Sequence, residues 1–277
     1  MKTYPREIGV LQVPRKGEKL AGVYMLLKRE PAGLETVLKG LFGANVGVRS
    51  VEMYERDDAD GWVISAFLDM SKSPYGASGL ENFLKRLDCV DELAISEHTP
   101  ILHQTSLFPI MNRNERVVLQ SVKRLQYVRD QLERILTSSG LSVIFYNMGL
   151  ENGRGLHKML VQEFRANLLT IQQRANLLKD HLVASGMGIL DLTDLDLEER
   201  SGIVKLYEGY ECDGIRKDRP TCHASRGVLA GYFGNEWMLD NVKAVELRCR
   251  AIGDPHCEFA VGTPGGVNRT PSAKISV

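Results

Sequence analysis

The sequence predicts an α+β protein with two domains joined by a long helix, and three observations support this prediction. The chain has 277 residues, of which 43% are hydrophobic, enough for an ordinary core in each of two domains. Strand-like and helix-like apolar patterns alternate in its N-terminal third. Beyond residue 140, helical segments precede a region of strand-like runs and turns, and four of the five cysteines lie in that region.

Composition limits the classes of function. The 35 basic and 35 acidic residues cancel to zero net charge, so no overall field attracts nucleic acid or anionic lipid. The first residues lack the apolar core of a signal peptide, and no run of about 18 uncharged apolar residues is present. The five cysteines, an odd number, suit reduced thiols or metal ligands better than a disulfide framework. We therefore expect a cytoplasmic protein that contacts neither membrane nor nucleic acid directly.

The N-terminal domain is predicted over residues 1–98. Apolar runs and breaks within it give the order strand, helix, strand, strand, helix, strand: 22–28, 34–42, 46–54, 62–69, 80–87 and 90–95. This order is the ferredoxin-like βαββαβ unit. It resembles an ACT domain, a regulatory module that commonly binds amino acids or related small molecules at a dimer interface. A domain that dimerises or packs without a ligand is the alternative.

Residues 99–139 are predicted to form a linker and a long connecting helix. Asn112-Arg113-Asn114-Glu115 offers a capping box at the start of this helix, and Gly140 marks its end. Five apolar residues occupy heptad positions, with Arg129 as the interruption: Val118, Val122, Leu125, Leu132 and Leu136. The pattern suits a dimeric coiled coil that transmits a signal. A helix packed on its own domain is the alternative.

The C-terminal domain is predicted over residues 140–262, followed by a flexible tail at 263–277. A glycine-rich stretch with Gly149, Gly153 and Gly155 leads into helical segments at 156–165 and 166–181. Strand-like runs at 188–192 and 201–210 precede a short helix at 223–234. The strands 242–252 and 257–261 then flank a turn at Gly253.

Three cysteines and a glutamate within 36 residues offer a four-coordinate site for a thiophilic metal such as Zn²⁺: Cys222, Glu246, Cys249 and Cys257. A hairpin centred on Gly253 places Cys249 opposite Cys257, and Cys222 begins the preceding helix. Glu246 requires a bulge, because a regular strand would point it to the opposite face. The alternative fourth ligands are Cys212, His223 and His256. Buried apolar cysteines or a Cys249–Cys257 disulfide are the competing interpretations.

The motif carries a resemblance to a known family. Gly149 with Gly153-Arg154-Gly155, Cys222-His223 with Gly231-Tyr232, and the run from Glu246 to Cys257 look like the 4-vinyl reductase domain. This resemblance implies a structural zinc held by Cys222, Glu246, Cys249 and Cys257. The family includes sensor domains of aromatic-responsive transcription activators and a protein associated with vinyl reduction in bacteriochlorophyll synthesis.

The same resemblance suggests ligand-binding residues. Phenol-type sensors hold the ligand hydroxyl with a histidine and a tryptophan, whose positions fall on His181 and Tyr210. Four further aromatic residues are candidates to line the cavity: Phe145, Tyr207, Tyr232 and Phe233. The alternative is structural, with His181 at the end of a helix and the aromatic residues in the core.

The sequence therefore predicts a non-enzymatic sensor that binds a small hydrophobic, for instance aromatic, molecule and signals through a dimer helix. Because no helix-turn-helix or phosphate loop is visible, output requires a protein partner. An enzyme or accessory protein of tetrapyrrole vinyl reduction is one alternative, although no dinucleotide-binding glycine motif is present. A structural adaptor is the other, and a cavity filled by the protein's own side chains would favour it.

Overall fold

The computed structural model describes residues 8, 11–30, 32–55, 61–97, 101–103, 105, 109–112, 115–163 and 168–267. It divides into two compact units, Met1–Val118 and Leu119–Val277. No helix within the described ranges is long and apolar enough to cross a membrane. The mixture of helices and strands confirms the α+β class expected from the sequence.

The N-terminal unit is built on a four-stranded antiparallel sheet with the order β3-β4-β2-β5. Its elements are β1 (Leu11–Gln12), β2 (Leu20–Lys28), α1 (Gly33–Gly43), β3 (Gly47–Glu55), β4 (Gly61–Asp69), α2 (Ala77–Leu84), β5 (Val90–Ser96), β6 (Leu102–His103), β7 (Met111–Asn112) and β8 (Glu115–Arg116). From β2 to β5 this is the order of elements that the sequence predicts. The acidic turn between β3 and β4 lies outside the described residues. The ACT-like assignment of this unit stays a prediction.

The two central strands explain why this sheet forms. Nearly every residue of β2 and β4 is buried, as expected for strands covered on both faces. Val37 and Leu41 of α1 pack into the same core as Leu80 and Leu84 of α2. Phe42, one residue beyond Leu41, is 61% exposed because it lies on the opposite side of the helix.

The predicted connecting helix is shorter than expected. Where the sequence suggested a capping box, β7 and β8 pair as antiparallel strands. The helix α3 (Val122–Ile135) instead begins after Ser121, whose hydroxyl accepts a hydrogen bond from the Arg124 backbone N–H at 3.3 Å. This side-chain cap satisfies an N–H group that has no partner within the helix, which explains the later start. Thr137 caps the next helix in the same way, so the chain bends at Leu136.

The burial along α3 also differs from the predicted heptad pattern. Arg129, expected as the interruption, is 5% exposed, whereas Leu125 is 40% exposed and Val118, outside the helix, is 73% exposed. The most buried residue of α3 is therefore a charged one. The apolar residues Leu125, Val128 and Ile135 are exposed, whereas Val122 and Leu132 are half-buried.

The C-terminal unit joins five helices to an antiparallel sheet of order β10-β11-β13-β12, with β9 also paired to β11. Besides α3, its elements are α4 (Ser138–His157), α5 (Ile171–Ala184), β9 (Ile189–Asp191), β10 (Leu195–Asp196), β11 (Ser201–Tyr207), α6 (His223–Trp237), β12 (Lys243–Arg248), β13 (Cys257–Gly262) and α7 (Pro264–Val267). A π-helical segment, Lys158–Glu163, follows α4, and short 3₁₀ turns occur at Tyr210–Cys212 and Arg250–Ile252. The strands β9 and β13 and the helix α6 lie close to their predicted ranges. The predicted strands 201–210 and 242–252 end earlier, at Tyr207 and Arg248, and their last residues fall in the two 3₁₀ turns.

Glycines allow α4 and α6 to pack backbone against backbone. A Cβ atom on Gly153 would lie 2.2 Å from the Val228 carbonyl oxygen, and one on Gly227 would lie 2.1 Å from the Tyr146 oxygen. Gly149 and Gly231 are in the same situation. The glycine-rich stretch that precedes the predicted helices is therefore itself helical, because the contact with α6 offsets the low helix propensity of glycine.

The predicted tail is also partly structured. Residues 264–267 form the short helix α7, and Val267 is buried. The rest of the predicted tail lies outside the described residues. Burial of one apolar side chain explains why the ordered chain extends past the predicted boundary at residue 262.

Candidate metal centre and cavity

Four buried cysteines meet in the C-terminal unit. The sulfur atoms of Cys212, Cys222, Cys249 and Cys257 all lie within 4.8 Å of one another. The Cys212–Cys222 sulfur distance is 3.0 Å, and the Cys222–Cys257 distance is 3.4 Å. All four thiols are free, including those of Cys249 and Cys257. The disulfide interpretation is therefore wrong for this structure.

The four sulfurs come from three local structures. Cys212 ends the 3₁₀ turn after β11, and Cys222 is the N-cap residue of α6, as the sequence predicted. Arg248 pairs with Glu258, so the same register places Cys249 opposite Cys257 at the end of the β12–β13 hairpin. Strand pairing therefore fixes two of the four sulfurs, and the start of a helix fixes a third.

The fourth sulfur of the cluster belongs to a residue outside the predicted ligand set, which stays a prediction. Cys212, one of the alternatives to Glu246, completes the group of four. A bulge between Glu246 and Arg248 does turn Glu246 towards the cluster, where its carboxylate accepts the Cys222 backbone N–H at 3.1 Å. Burial and the charge of Cys249 raise the pKa of Glu246 to about 9. Glu246 thus borders the cluster and contacts one of its backbone groups.

The geometry fits a tetrahedral metal ion. Four sulfurs at about 2.3 Å from a central Zn²⁺ would be about 3.8 Å apart. Cys212 lies 3.4 Å from Cys249 and 3.6 Å from Cys257, so only small adjustments are required. An all-sulfur donor set is typical of zinc or iron–sulfur sites. Hydrogen bonding among the sulfurs lowers the pKa of Cys212 and Cys249 and raises the pKa of Cys222 and Cys257. Without a metal, therefore, only part of the cluster favours the thiolate form.

A buried carboxylate supports the segment that carries Cys212. The carboxylate of Glu211 accepts hydrogen bonds from the backbone N–H groups of Ala224 at 3.0 Å and Ser225 at 2.7 Å, at the start of α6. These N–H groups have no partner within the helix, and the helix dipole favours a negative charge there. Burial nevertheless raises the pKa of Glu211. The carboxylate therefore ties the turn of Cys212 to the helix of Cys222.

A small apolar cavity adjoins these elements. Its volume is about 10 Å³, room for at most one water molecule. The cavity is lined by Leu182, Met187, Leu190, Leu206, Tyr210, Ser225, Val228 and Leu229. Burial raises the pKa of the Tyr210 hydroxyl far above its ordinary value, so this group stays protonated. Tyr210 and Ser225 are the polar residues of an otherwise apolar wall.

Comparison with known proteins gives the family. The model of the 4-vinyl reductase domain matches residues 203–263, which contain all four cysteines of the cluster. The uncharacterized protein MJ0150 of Methanocaldococcus jannaschii is 33% identical over 129 residues, which cover 46% of this chain and 68% of that protein. The chain belongs to the 4-vinyl reductase domain family. This confirms the resemblance that the sequence motif indicated.

Other relatives of this 4-vinyl reductase domain protein are more distant. The uncharacterized protein MJ0855 of the same archaeon is 21% identical over 142 residues, and the match spans about half of each protein, 50% of this chain and 53% of MJ0855. The phenol-responsive sensory domain of the transcription activator PoxR, solved with phenol, is 19% identical, with a TM-score of 0.48 over 54% of this chain and 77% of that one. A vinyl-4-reductase family protein from Methanocaldococcus jannaschii is also 19% identical, with a TM-score of 0.35 over 54% and 83%.

The predicted ligand-binding residues of the 4-vinyl reductase domain take different positions. Tyr210 lines the cavity. Among the described residues, the other five lie elsewhere: His181, Phe145, Tyr207, Tyr232 and Phe233. Tyr232 and Phe233 are fully buried in the core, and the Tyr232 hydroxyl donates to the Arg174 carbonyl at 2.6 Å. His181 precedes the lining residue Leu182, and burial lowers its pKa. Core packing therefore accounts for Tyr232 and Phe233.

Sequence reasoning missed most of the cavity wall. Ser225, Val228 and Leu229 follow Cys222 along α6, so helical periodicity counted from Cys222 could have placed them together. Met187 and Leu206 come from elements far apart in the sequence and carry no local signal. Glu211 was also missed, because the N–H groups that it accepts are 13 and 14 residues away.

Proposed function

We propose that the C-terminal unit is a ligand-sensing domain in which a structural zinc site fixes one wall of the apolar cavity. The observation that supports this proposal is that the same turn, helix and strand pair carry residues of both the cavity wall and the cysteine cluster. Tyr210 and Cys212 belong to one 3₁₀ turn, and Ser225 lies one helical turn after Cys222. Leu206 of the wall pairs with Cys257 across β11 and β13. A metal that holds the four sulfurs would therefore hold three parts of the wall.

The metal would be held by Cys212, Cys222, Cys249 and Cys257. When bound, Zn²⁺ supplies a closed tetrahedral link and no open position for a substrate or water. The surrounding chain supplies the rest of the site: Glu211 and Glu246 accept the N–H groups at the start of α6. The role of the centre in this proposal is structural.

A ligand would have to open the cavity. At about 10 Å³ the cavity holds no organic molecule, so binding selects or creates an expanded state. Met187 is an unbranched, adaptable side chain that can move aside. Tyr210 and Ser225 would then offer hydroxyl groups to a small, largely apolar ligand with one polar group, such as a phenol.

Helix α3 provides a route for the signal, because it is anchored on the segment that carries Tyr210 and Cys212. Arg129 donates to the Glu211 carbonyl at 3.0 Å, and Gln126 donates to the Asp213 carbonyl at 2.7 Å. Movement of the 3₁₀ turn would therefore move α3. Its outer face carries Leu125, Val128 and Ile135, which are 40%, 55% and 78% exposed. This face suits a homodimer or an output protein.

The small cavity volume favours a second candidate function. A cavity filled by the protein's own side chains was the observation expected for a structural adaptor, in which α3 and the cluster only maintain a binding surface. The two functions differ in whether an added small molecule changes the hydrogen exchange of α3. Both use the same metal centre.

The test combines native mass spectrometry with hydrogen exchange. We expect about one zinc ion per chain, a dimer, and altered exchange within residues 122–135 when phenol is added. Phenol is chosen as the smallest molecule that joins an aromatic ring to a hydroxyl. A metal-loaded protein whose α3 responds neither to phenol nor to the small molecules retained on purification would support the adaptor. Metal-free protein with unchanged stability would refute the structural zinc.

A further inference from the structure

A second concave site lies on the outside of the C-terminal unit. It is an open groove of about 290 Å³ beside the edge strand β12, near the lower end of the volumes of small-molecule sites. The groove is lined by Ser142, Val143, Tyr146, Asn147, Arg226, Lys243, Ala244 and Val245. None of these residues lines the small apolar cavity or supplies a sulfur to the cluster, within the described part of the chain.

Two cations line this groove. Arg226 and Lys243 form no ion pair with a carboxylate among the described residues. The Arg226 guanidinium lies over the Tyr146 ring, 5.6 Å from its centre, and its Nη2 contacts Ser142 Oγ at 3.2 Å and His223 Nδ1 at 3.0 Å. Its Nε is buried and has no acceptor among the described residues. The Arg226 guanidinium is thus held in place, while its Nε–H donor remains without an acceptor in the described part of the chain.

The rest of the groove is mainly apolar. Val143, Ala244 and Val245 contribute aliphatic surface, and Tyr146 contributes an aromatic ring. Asn147 adds a neutral hydrogen-bonding group, and no carboxylate lines the groove among the described residues. A ligand that matches this surface has a single negative charge for the two cations and an apolar body for the remaining wall.

We propose that the groove binds a small organic carboxylate with an apolar body. The carboxylate lies between Arg226 and Lys243, and the body packs against Tyr146 and Val245. Arginine suits this role because its planar fork matches a carboxylate, whereas lysine adds charge without fixed geometry. The site is separate from the proposed sensing cavity, so it does not depend on that function.

The test is a titration of the full chain with benzoate and, separately, with inorganic phosphate. Binding is followed by the NMR shifts of the Tyr146 and Val245 backbone amides. Benzoate should bind more tightly than phosphate, because phosphate has no apolar body. Arg226→Lys should weaken benzoate binding by about tenfold, since it keeps a cation and loses the fork. Lys243→Gln should weaken it by about threefold at low salt and reduce its salt dependence.

The control is Lys179→Gln, which removes an exposed lysine on α5, outside the groove. All variants are first compared with the parent chain in melting temperature and metal content, and R226K keeps a long cationic chain so that it folds. Retained benzoate affinity in both R226K and K243Q would overturn the proposal. Equal affinity for phosphate and benzoate, or an equal loss in K179Q, would also overturn it.

Discussion

At the scale of single residues, the identity of the fourth metal ligand is directly testable. If the four sulfurs hold the ion, Cys212→Ala should reduce zinc from about one ion per chain to near zero, because three thiolates leave the coordination incomplete. Glu246→Gln should keep the ion, since an amide oxygen still accepts the Cys222 N–H. Zinc is measured by mass spectrometry of the purified variants.

The matched control is Cys89→Ala, which removes the fifth cysteine, buried in the N-terminal unit. It should leave the metal content unchanged. The opposite pattern, with zinc lost in E246Q and kept in C212A, would restore the ligand set implied by the family resemblance.

A second residue-scale prediction concerns pH. The Glu236 side chain is 1% exposed and contacts Arg174 at 2.6 Å and His157 at 2.9 Å. Burial tends to raise the pKa of Glu236, but the hydrogen bonds from His157 and Arg174 outweigh it, so its pKa lies below the ordinary value of 4.5. A folded-state pKa below that of the unfolded chain stabilises the fold above pH 4.5, and this stabilisation is lost as the pH falls further.

Glu236→Gln should therefore make stability fall less steeply below that pH. It should also cost about 1.5–3 kcal/mol at neutral pH, because the half-buried Arg174 loses its charged hydrogen-bond partner. Urea unfolding at several pH values measures both effects. Glu151→Gln, which breaks the exposed pair with Arg154, is the control and should change stability by less than about 1 kcal/mol. If the stability of E236Q fell as steeply at acid pH as that of the parent chain, Glu236 would not be the group responsible.

The residues show what the sequence could and could not provide. Spacing alone placed Cys249 and Cys257 on opposite strands, because the turn at Gly253 sets the register. The choice between Cys212 and Glu246 depended on a 3₁₀ turn and on a strand bulge, and neither has a local sequence pattern. Tyr210 was expected at the cavity by family resemblance, whereas Tyr232 and Phe233 show that aromatic spacing does not separate cavity walls from core.

At the scale of elements, the contact between α4 and α6 provides a sharp test. Gly153→Ala or Gly227→Ala should destabilise the protein by about 1–3 kcal/mol or more, because the new methyl group would meet a backbone oxygen that cannot move aside. Gly155→Ala on the same helix has open space at its Cβ and should be neutral, or stabilising by up to about 1 kcal/mol. Thermal unfolding distinguishes these cases. Equal effects at all three glycines would argue against the close backbone contact.

Helix α3 gives the second element-scale prediction. Arg129→Met should leave the metal content unchanged but increase hydrogen exchange within residues 122–135, because Arg129 joins this helix to the Glu211 carbonyl. Its net effect on stability should be small, since the buried Nε and Nη2 atoms have no hydrogen-bond partner among the described residues. Tyr127→Ala, on the exposed side of α3, is the control. Unchanged exchange in R129M would show that this contact does not anchor the helix.

Elements with strong periodicity were predicted well, and those decided by tertiary contacts were not. The sheet β3-β4-β2-β5 was predicted because its central strands are nearly continuous apolar runs, which are typical of buried strands. The start of α3 was missed because Ser121 caps it, while the apparent capping box at Asn112 falls in a strand pair. The helical state of the Gly149–Gly153 stretch depends on α6, which lies far along the chain.

At the scale of the whole molecule, the two units have separate cores and separate chemistry. All four cysteines of the cluster lie in the unit Leu119–Val277, and the N-terminal unit contains only Cys89. A metal that binds only the folded form stabilises the unit that holds it. The stability of the other unit has no such link to metal concentration.

Metal removal should therefore act on one unit only. In calorimetry of the full chain we expect a strong chelator to lower the transition of the C-terminal unit and leave that of the N-terminal unit in place, since each unit has its own hydrophobic core. Added zinc should restore the shifted transition. Leu84→Ala, in the core of the N-terminal unit, identifies which transition belongs to which unit. It should lower the stability of the N-terminal unit by about 2–5 kcal/mol. A single transition that moves with both treatments would show that the units unfold together.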